Sequence, residues 1–145
     1  MASWGEIETQ APELAALARG FFEALRHKTL ATIRRDGSPR ISGTELEISD
    51  GEMWLGSMWR AVKALDLLRD PRFALHSGSP DPDAGWEGDA KLAGRAVDAT
   101  APGANAHRFR LDISEVVVVR LGDPRDHLVI ESWHEGRGVS RLERR

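Results

Sequence analysis

Three side chains near the middle of the sequence, Ser57, Arg60 and Lys63, are suited to binding an anion. Ser57 ends a short apolar strand, and the two cations are three residues apart, so they share one face of the helix that follows. A helix N-terminus also offers free backbone N–H groups and the positive end of the helix dipole. The sequence therefore predicts a phosphate site where this strand meets this helix. The alternative is a solvated basic face that pairs with Asp66 or Asp70.

The C-terminal segment is a second candidate site because it combines an aromatic ring with evenly spaced arginines. Trp133 ends an apolar strand, and Arg137, Arg141 and Arg145 follow at intervals of four residues. Guanidinium groups pair well with carboxylates and phosphates. The segment is interpreted either as a ligand-binding tail or as a disordered basic terminus.

Other catalytic motifs are missing from the sequence. The histidines form no i, i+4 pair and no cluster with acids, so no metal site is predicted; they are His27, His76, His107, His127 and His134. On residue type alone, His107 or His134 is a candidate general acid. There is no Gly-x-Ser-x-Gly elbow and no Gly-rich dinucleotide loop. With no cysteine and no tyrosine, thiol chemistry and a tyrosine general acid are excluded.

The elements that must position these residues are mainly strands. Helical spacing is found at 12–26 and 59–69, and one helical turn is predicted near 104–109. Residues 79–83 are predicted to form a loop. Strands are predicted at 28–35, 40–48, 52–55, 73–77, 89–99, 114–121 and 128–133. Short connections and many β-branched residues favour a closed or nearly closed antiparallel barrel.

Length and composition limit the range of functions. A chain of 145 residues is expected to form one domain, 1–145. The net charge of −3 does not favour a nucleic-acid or membrane partner. No apolar run approaches the roughly 20 residues that span a bilayer, and acidic residues interrupt any signal peptide near Met1. We therefore expect a cytoplasmic protein with a small-molecule substrate.

Between residues 29 and 77 the order of elements resembles a known family. A strand, an Asp-Gly turn at 36–37, two strands, a helix with Lys63, Asp-Pro at 70–71 and a further strand follow one another. This order is similar to that of the FMN- and deazaflavin-binding split-barrel superfamily, the pyridoxamine 5′-phosphate oxidase-like proteins. The resemblance extends over residues 12–145. It implies a mainly β (α+β) fold, a six-stranded antiparallel split β-barrel with an N-terminal helix and one helix after the third strand.

The resemblance also implies a homodimer with cofactor sites at its interface. In that family the second strand, the end of the third strand and the start of the next helix hold the cofactor. The matching positions here are Arg40, Ile41, Ser42, Gly43, Thr44, Gly56, Ser57, Met58, Arg60 and Lys63. Trp133 of the partner subunit would close the pocket, and the tail residues Arg137 and Arg141 would contact the substrate.

Departures from the family pattern argue against oxidation of vitamin B6. Ala61 and Val62 replace the usual Ser-Arg before the lysine, and Glu143 replaces a substrate-facing histidine. Residues 100–110 are also too few to form the segment that binds pyridoxal phosphate in those enzymes. The resemblance therefore implies an oxidoreductase that transfers hydride or electrons with FMN or the deazaflavin F-420.

The cofactor and the class of function each have an alternative. FMN is the commoner cofactor of the family, whereas the arginine-rich composition, with lysine only at positions 28, 63 and 91, is typical of the high-GC genomes in which F-420 is used. FMN is the first expectation and F-420 its near equal. The alternative function is non-catalytic binding or storage of a flavin, a deazaflavin or a haem-type ligand.

Overall fold

In the computed structural model, which describes residues 1–79 and 85–145, the chain forms a mainly β structure. The helices are α1 (Trp4–Gln10), α2 (Pro12–Ala24) and α3 (Val62–Arg69). None of these three is long and apolar enough to cross a membrane. The strands are β1 (Lys28–Ile33), β2 (Pro39–Thr44), β3 (Leu46–Ser49), β4 (Glu52–Met58), β5 (Arg72–His76), β6 (Gly88–Asp98), β7 (Ala106–Leu121), β8 (Leu128–His134) and β9 (Gly138–Arg144). The loop predicted at 79–83 lies, beyond Ser79, outside the described residues.

All the strands belong to one antiparallel sheet, as the sequence predicts. Its order is β2-β1-β5-β6-β7-β4-β3, with β8 also paired to β7 and β9 to β8. The strands β2 and β3 stand at opposite ends of this path, yet only Glu45 separates them in the chain. The sheet must therefore curl until its two ends meet. No ladder among the described residues joins those ends, so the curled sheet is not closed.

The described residues form nine strands, whereas the sequence pattern predicts seven and the resemblance implies six, and the differences arise from long-range pairing. The predicted strand 40–48 is divided at Glu45 into two strands, which pair with different partners. The helical turn predicted at 104–109 is wrong, because residues 106–109 begin β7 and pair with β4. The tail is an ordered strand rather than a disordered terminus, since β9 pairs with β8 along its whole length. The sequence also failed to predict α1, which a capping box of Ser3 and Glu6 begins.

The long strand β7 has one edge that two other strands share. The strand β4 pairs with the first part of this edge, and β8 pairs with the last part. In the gap between them, Ile113 exchanges two backbone hydrogen bonds with Ala2, of 2.9 and 2.8 Å. The N-terminal residues thus continue the sheet where its edge splits, and this holds α1 and α2 against it.

The core lies between the sheet and the two N-terminal helices. Its large side chains are at most 1% exposed and include Trp4, Phe22, Phe109 and Trp133. Burial of each such side chain contributes about 2–3 kcal/mol to folding. The indole Nε1 of Trp133 donates a hydrogen bond to Gln10 Oε1 at 3.2 Å, so the end of α1 is tied to β8.

A buried carboxylate fixes α3 to the sheet. The Asp66 side chain is only 3% exposed and accepts hydrogen bonds from Thr32 Oγ1 (2.7 Å), Arg40 Nε (2.7 Å) and Arg69 Nη2 (3.0 Å). Burial raises the pKa of Asp66, but these three hydrogen bonds outweigh it and hold the pKa below its usual range. Because Asp66 follows Lys63 by one turn, this anchor also sets where Lys63 lies.

Candidate functional site

A groove of about 890 Å³ opens at the place where the sequence predicts an anion site. The ends of β2 and β4 form its floor, and α3 lies at one side. The opposite wall is the segment between β6 and β7. Its lining residues include Gly43, Thr44, Gly56, Ser57, Met58, Lys63, Ala99, Ala101, Ala104, Ala106, His107 and Arg108. Six of the predicted cofactor-binding residues are therefore brought together here.

The floor of the groove is bare backbone at two positions. A Cβ atom added to Gly43 or to Gly56 would meet no other atom within 4 Å. Both residues lie within strands and line the groove, so the absent side chains leave peptide groups open to a ligand. A flat ring can therefore approach this floor closely, which fits the resemblance to flavin-binding proteins.

Lys63 provides a positive charge at the rim of the groove. Its Nζ donates a hydrogen bond to the backbone oxygen of Gly43 at 2.9 Å, and no carboxylate in the described part of the chain pairs with it. The two acids that the sequence offered as partners are engaged elsewhere. Asp66 pairs with Arg40 and Arg69, and Asp70 pairs with Arg72. The charge of Lys63 therefore remains available for an anion.

Four other predicted residues lie outside the groove lining. Arg40 is directed to Asp66 instead, because its Nε donates to that buried carboxylate. Ile41 is 74% exposed, and neither it nor Ser42 lines the groove. Arg60 lies in the turn before α3, where its backbone N–H donates to His107 Nε2 at 3.1 Å. Arg40 thus acts on the site by holding β2 against α3.

The structure places the predicted residues of the C-terminal segment in two different environments. The prediction for Trp133 is corrected, because its side chain is 1% exposed in the core and offers no face to a ligand of either subunit. Arg137 and Arg141 instead line a second, smaller groove of about 310 Å³ on the β8–β9 hairpin, together with Ser132, His134 and Ser140. In one copy of the chain, these arginines are not part of the first groove.

The wall formed by residues 99–108 was missed by sequence reasoning. Hydrogen bonds from Ala99 N to Arg108 O (2.8 Å) and from Arg108 N to Thr100 Oγ1 (3.0 Å) hold it beside β7. The signal in the sequence was the run of small residues ATAPGANA from 99 to 106, which leaves room for a ligand. Arg108 itself lies over the Trp54 ring, 4.0 Å from its centroid, and bonds to Glu47 at 2.9 Å.

No metal centre accompanies this groove within residues 1–79 and 85–145. In that part of the chain, no three His, Asp or Glu side chains lie close enough together to hold an ion. His107 is 6% exposed, and its ring stacks on that of Trp59 with 4.4 Å between centroids and 9° between planes. The groove can therefore bind an anion at Lys63 and a flat ring against the exposed backbone of its floor.

Comparison with known proteins identifies the fold. No protein-family model matches the chain, and no curated protein matches it. Among solved structures, PhzG from Burkholderia lata 383, in complex with tetrahydrophenazine-1-carboxylic acid, matches with a TM-score of 0.66 and 11% identity, over 95% of this chain and 91% of that one. A pyridoxamine 5′-phosphate oxidase-related, FMN-binding protein from Nostoc punctiforme PCC 73102 matches with a TM-score of 0.62 and 13% identity, over 100% and 98%.

A heme-binding protein from Mycobacterium smegmatis also matches, with a TM-score of 0.61 and 15% identity, over 90% of this chain and 87% of that one. The chain therefore has the fold of the pyridoxamine 5′-phosphate oxidase-like proteins, and the resemblance seen in its sequence is confirmed. Proteins of this fold bind different ligands, so the ligand of this chain has to be argued from its own groove.

Proposed function

We propose that this protein binds a flavin-type cofactor, FMN or F-420, in the groove of β2, β4 and α3 and acts as an oxidoreductase on a small organic substrate. The observation that carries the proposal is Lys63, a cation without a carboxylate partner among the described residues, beside a floor of bare backbone. The shared fold of the FMN-binding protein from Nostoc punctiforme supports it. FMN remains the first expectation and F-420 the near equal.

Different residues of the groove would bind different parts of such a cofactor. Lys63 would neutralise the phosphate, and the peptide groups of Gly43 and Gly56 would lie against the ring. The alanine-rich wall at 99–106 would exclude water from the opposite side. The bound flavin or deazaflavin would supply the redox chemistry, which no side chain of this groove can perform alone.

Replacement of Lys63 by alanine is expected to weaken binding of the cofactor at least about tenfold. A charge-assisted hydrogen bond contributes ~1.5 kcal/mol or more, which corresponds to that factor in the dissociation constant. Fluorescence titration with FMN and with F-420 measures the effect. Lys91→Ala is the matched control, because Lys91 is exposed on β6 and does not line the groove. Equal affinities of the Lys63→Ala and wild-type proteins would place the phosphate elsewhere.

A homodimer is part of the proposal because one face of α3 is apolar and exposed. We call Val62, Leu65 and Leu68, with the preceding Met58 and Trp59, the α3 apolar face; their exposed fractions run from 40% to 81%. The opposite side of the helix buries Ala64 and Leu67 in the core. Met58 also lines the groove, so a second copy bound to this face would lie beside the cofactor.

Leu65→Asp is expected to convert a dimer to a monomer while the fold is retained, because a charge would enter an apolar interface. Sedimentation velocity measures the change. Leu17→Asp is the control, since Leu17 is 36% exposed on α2 and Leu65 is 40% exposed on α3. A variant that sediments as the wild-type protein does would remove the α3 apolar face from the interface.

The substrate contacts proposed for Arg137 and Arg141 of the partner subunit can be tested by truncation. All seven residues of β9 are exposed, so removal of residues 136–145 takes no buried side chain from the core. We expect the truncated protein to fold and to keep its affinity for the cofactor, but to lose affinity for an anionic substrate. Circular dichroism and steady-state kinetics measure the two effects. Unchanged kinetics would leave β9 without a role in substrate binding.

The second candidate function is binding of a haem-type ligand without catalysis. His27 lines the groove, imidazole is a common axial ligand of haem iron, and the heme-binding protein from Mycobacterium smegmatis has the same fold. An absorbance titration with haemin separates the two candidates. A Soret band that shifts on binding and is altered in His27→Ala would favour haem, whereas saturable binding of FMN or F-420 favours the oxidoreductase.

A further inference from the structure

The side chain of His107 is buried, and it is not among the residues proposed to contact the cofactor. It lies near the start of β7, opposite Ser57 of β4, and is 6% exposed. Its Nε2 atom accepts the backbone N–H of Arg60 at 3.1 Å. An imidazole nitrogen can accept only when it carries no proton, so this contact requires neutral His107 with its proton on Nδ1.

Arg60, which donates this hydrogen bond, has a strained backbone. Arg60 has φ of 61°, in the left-handed region that side chains with a Cβ rarely adopt. Such a conformation persists only where the surroundings hold it. The Trp59 ring stacks on His107, and Ala61 N donates to Met58 O at 3.1 Å, which closes the turn. His107 therefore contacts both residues at the centre of the connection between β4 and α3.

The same turn determines how α3 leaves the sheet. Only Arg60 and Ala61 separate Trp59 from the first residue of α3, and Lys63 is the second residue of that helix. We infer that His107 is a positioning residue that keeps this turn in the shape that presents Lys63 to the groove. We further infer that protonation of His107 releases the turn and weakens binding of a phosphate-bearing ligand at acid pH, an inference that rests on the proposed function.

The charged residues on the elements around His107 are of both signs. Asp98, at the end of β6, is near enough to His107 to interact with it electrostatically. The cations on the neighbouring elements are Arg60 in the turn, Lys63 on α3 and Arg108 on β7, and Arg108 is paired with Glu47 of β3.

Two variants of His107 separate the hydrogen bond from the packing of the ring. His107→Phe keeps a flat ring on Trp59 but has no acceptor. His107→Gln supplies an amide oxygen that can accept the N–H of Arg60 and does not titrate. FMN is titrated into each protein between about pH 5.5 and 8.5, a range that brackets the usual pKa of histidine. His76→Gln is the control, because His76 lies on β5 outside the groove.

The wild-type affinity is expected to fall about three- to tenfold as the pH is lowered through this range, which is the effect of one lost neutral hydrogen bond. His107→Phe should bind weakly at every pH, whereas His107→Gln should bind as the neutral wild type does, without the pH dependence. The same pH dependence in His107→Gln as in the wild type would assign it to another group and overturn the inference.

Amide hydrogen exchange of Arg60 in the protein without cofactor gives a readout that does not depend on the proposed function. The Arg60 amide should be protected in the wild type at neutral pH and in His107→Gln, and unprotected in His107→Phe. Equal protection in the wild type and His107→Phe would show that the turn does not need His107. If neither FMN nor F-420 binds the wild type, the proposed function fails, while the exchange of Arg60 still decides the role of His107.

Discussion

Gly56→Val is expected to abolish cofactor binding and to leave the protein as stable as the wild type or slightly more stable. The space above Gly56 is open to at least 4 Å from an added Cβ, and the residue lies within β4 on the floor of the groove. A branched side chain at this position would stand where the ring is proposed to lie. Because Gly56 does not have a positive φ, valine fits the strand backbone and its higher strand propensity offsets any loss.

The size of this effect should follow the size of the side chain. We expect Gly56→Ala to weaken binding less than Gly56→Val, and Gly56→Val to weaken it at least about a hundredfold. A hundredfold change corresponds to about 2.8 kcal/mol, which is the loss of some tens of atom contacts of about 0.1–0.2 kcal/mol each between the ring and the floor. Titration with FMN and F-420, beside thermal unfolding, measures both properties. Gly20→Ala is the control, because Gly20 also has open space around it but lies on α2. Normal binding by Gly56→Val would exclude the floor of the groove as the site.

Asp66→Asn is expected to lower the free energy of unfolding by about 2–4 kcal/mol. The substitution leaves Arg40 and Arg69 without the carboxylate that they share in a buried position, and loss of one member of a buried ion pair costs about 3–5 kcal/mol. The expected value is lower because both arginine side chains are partly exposed, by 27% and 32%, and can be hydrated. Urea unfolding at neutral pH measures it.

The contribution of Asp66 should also depend on pH, with a definite sign. Its pKa in the folded protein lies below the value of an unfolded chain, so the unfolded state binds the proton more readily. The stabilisation is therefore fully present above the pKa of the unfolded chain and is lost as the pH falls through the lower pKa of the folded state. Asp66→Asn should lack this part of the acid dependence. Asp70→Asn is the comparison, because Asp70 is half-buried and pairs with Arg72, which lowers the pKa of Asp70 to about 2, but it does not contact Arg40 or the strand β2.

If Asp66→Asn is less stable than the wild type but binds the cofactor with the same affinity, the ion pairs of Asp66 stabilise the fold without positioning the cofactor site. We expect both to change, because Asp66 holds the helix that carries Lys63 against the strand that carries Gly43. Asp70→Asn, by comparison, should lose some stability at neutral pH, because the pKa of Asp70 is also lowered, but should keep the affinity of the wild type for the cofactor. If Asp66→Asn unfolds as the wild type does, the buried ion pair does not determine the position of α3.

Much of the fold could be predicted from local sequence signals. The Asp36-Gly37 turn joins β1 to β2 as expected, and Asp36 Oδ1 accepts the N–H of Ser38 within it. The break at Glu45 gave no such signal, because it arises from the pairing of β2 and β3 with different strands at the two ends of the curled sheet. The helical turn expected at 104–109 was likewise overridden by pairing with β4, whose strand precedes it by about 50 residues.

The candidate site could be predicted where it depends on the order of strands and helices along the chain. It could be predicted less well where a side chain pairs with a residue that is distant in the sequence. The strand end at Gly56 and the helix with Lys63 could be predicted from the residues, and Gly43 was implied by the resemblance to the split-barrel family. Arg40 was assigned to the cofactor because the sequence cannot show that Asp66, 26 residues later, takes its guanidinium group. Trp133 was assigned to a ligand as an aromatic at a strand end, although it shares its strand face with the buried Val129.

The most direct test of the flavin-type site is an equilibrium titration of the purified wild-type protein with FMN and with F-420, followed by fluorescence and absorbance. We expect saturable binding of at least one of them with a roughly micromolar dissociation constant, and loss of that binding in Gly56→Val. Absence of binding by both cofactors, or binding that Gly56→Val retains in full, would contradict it.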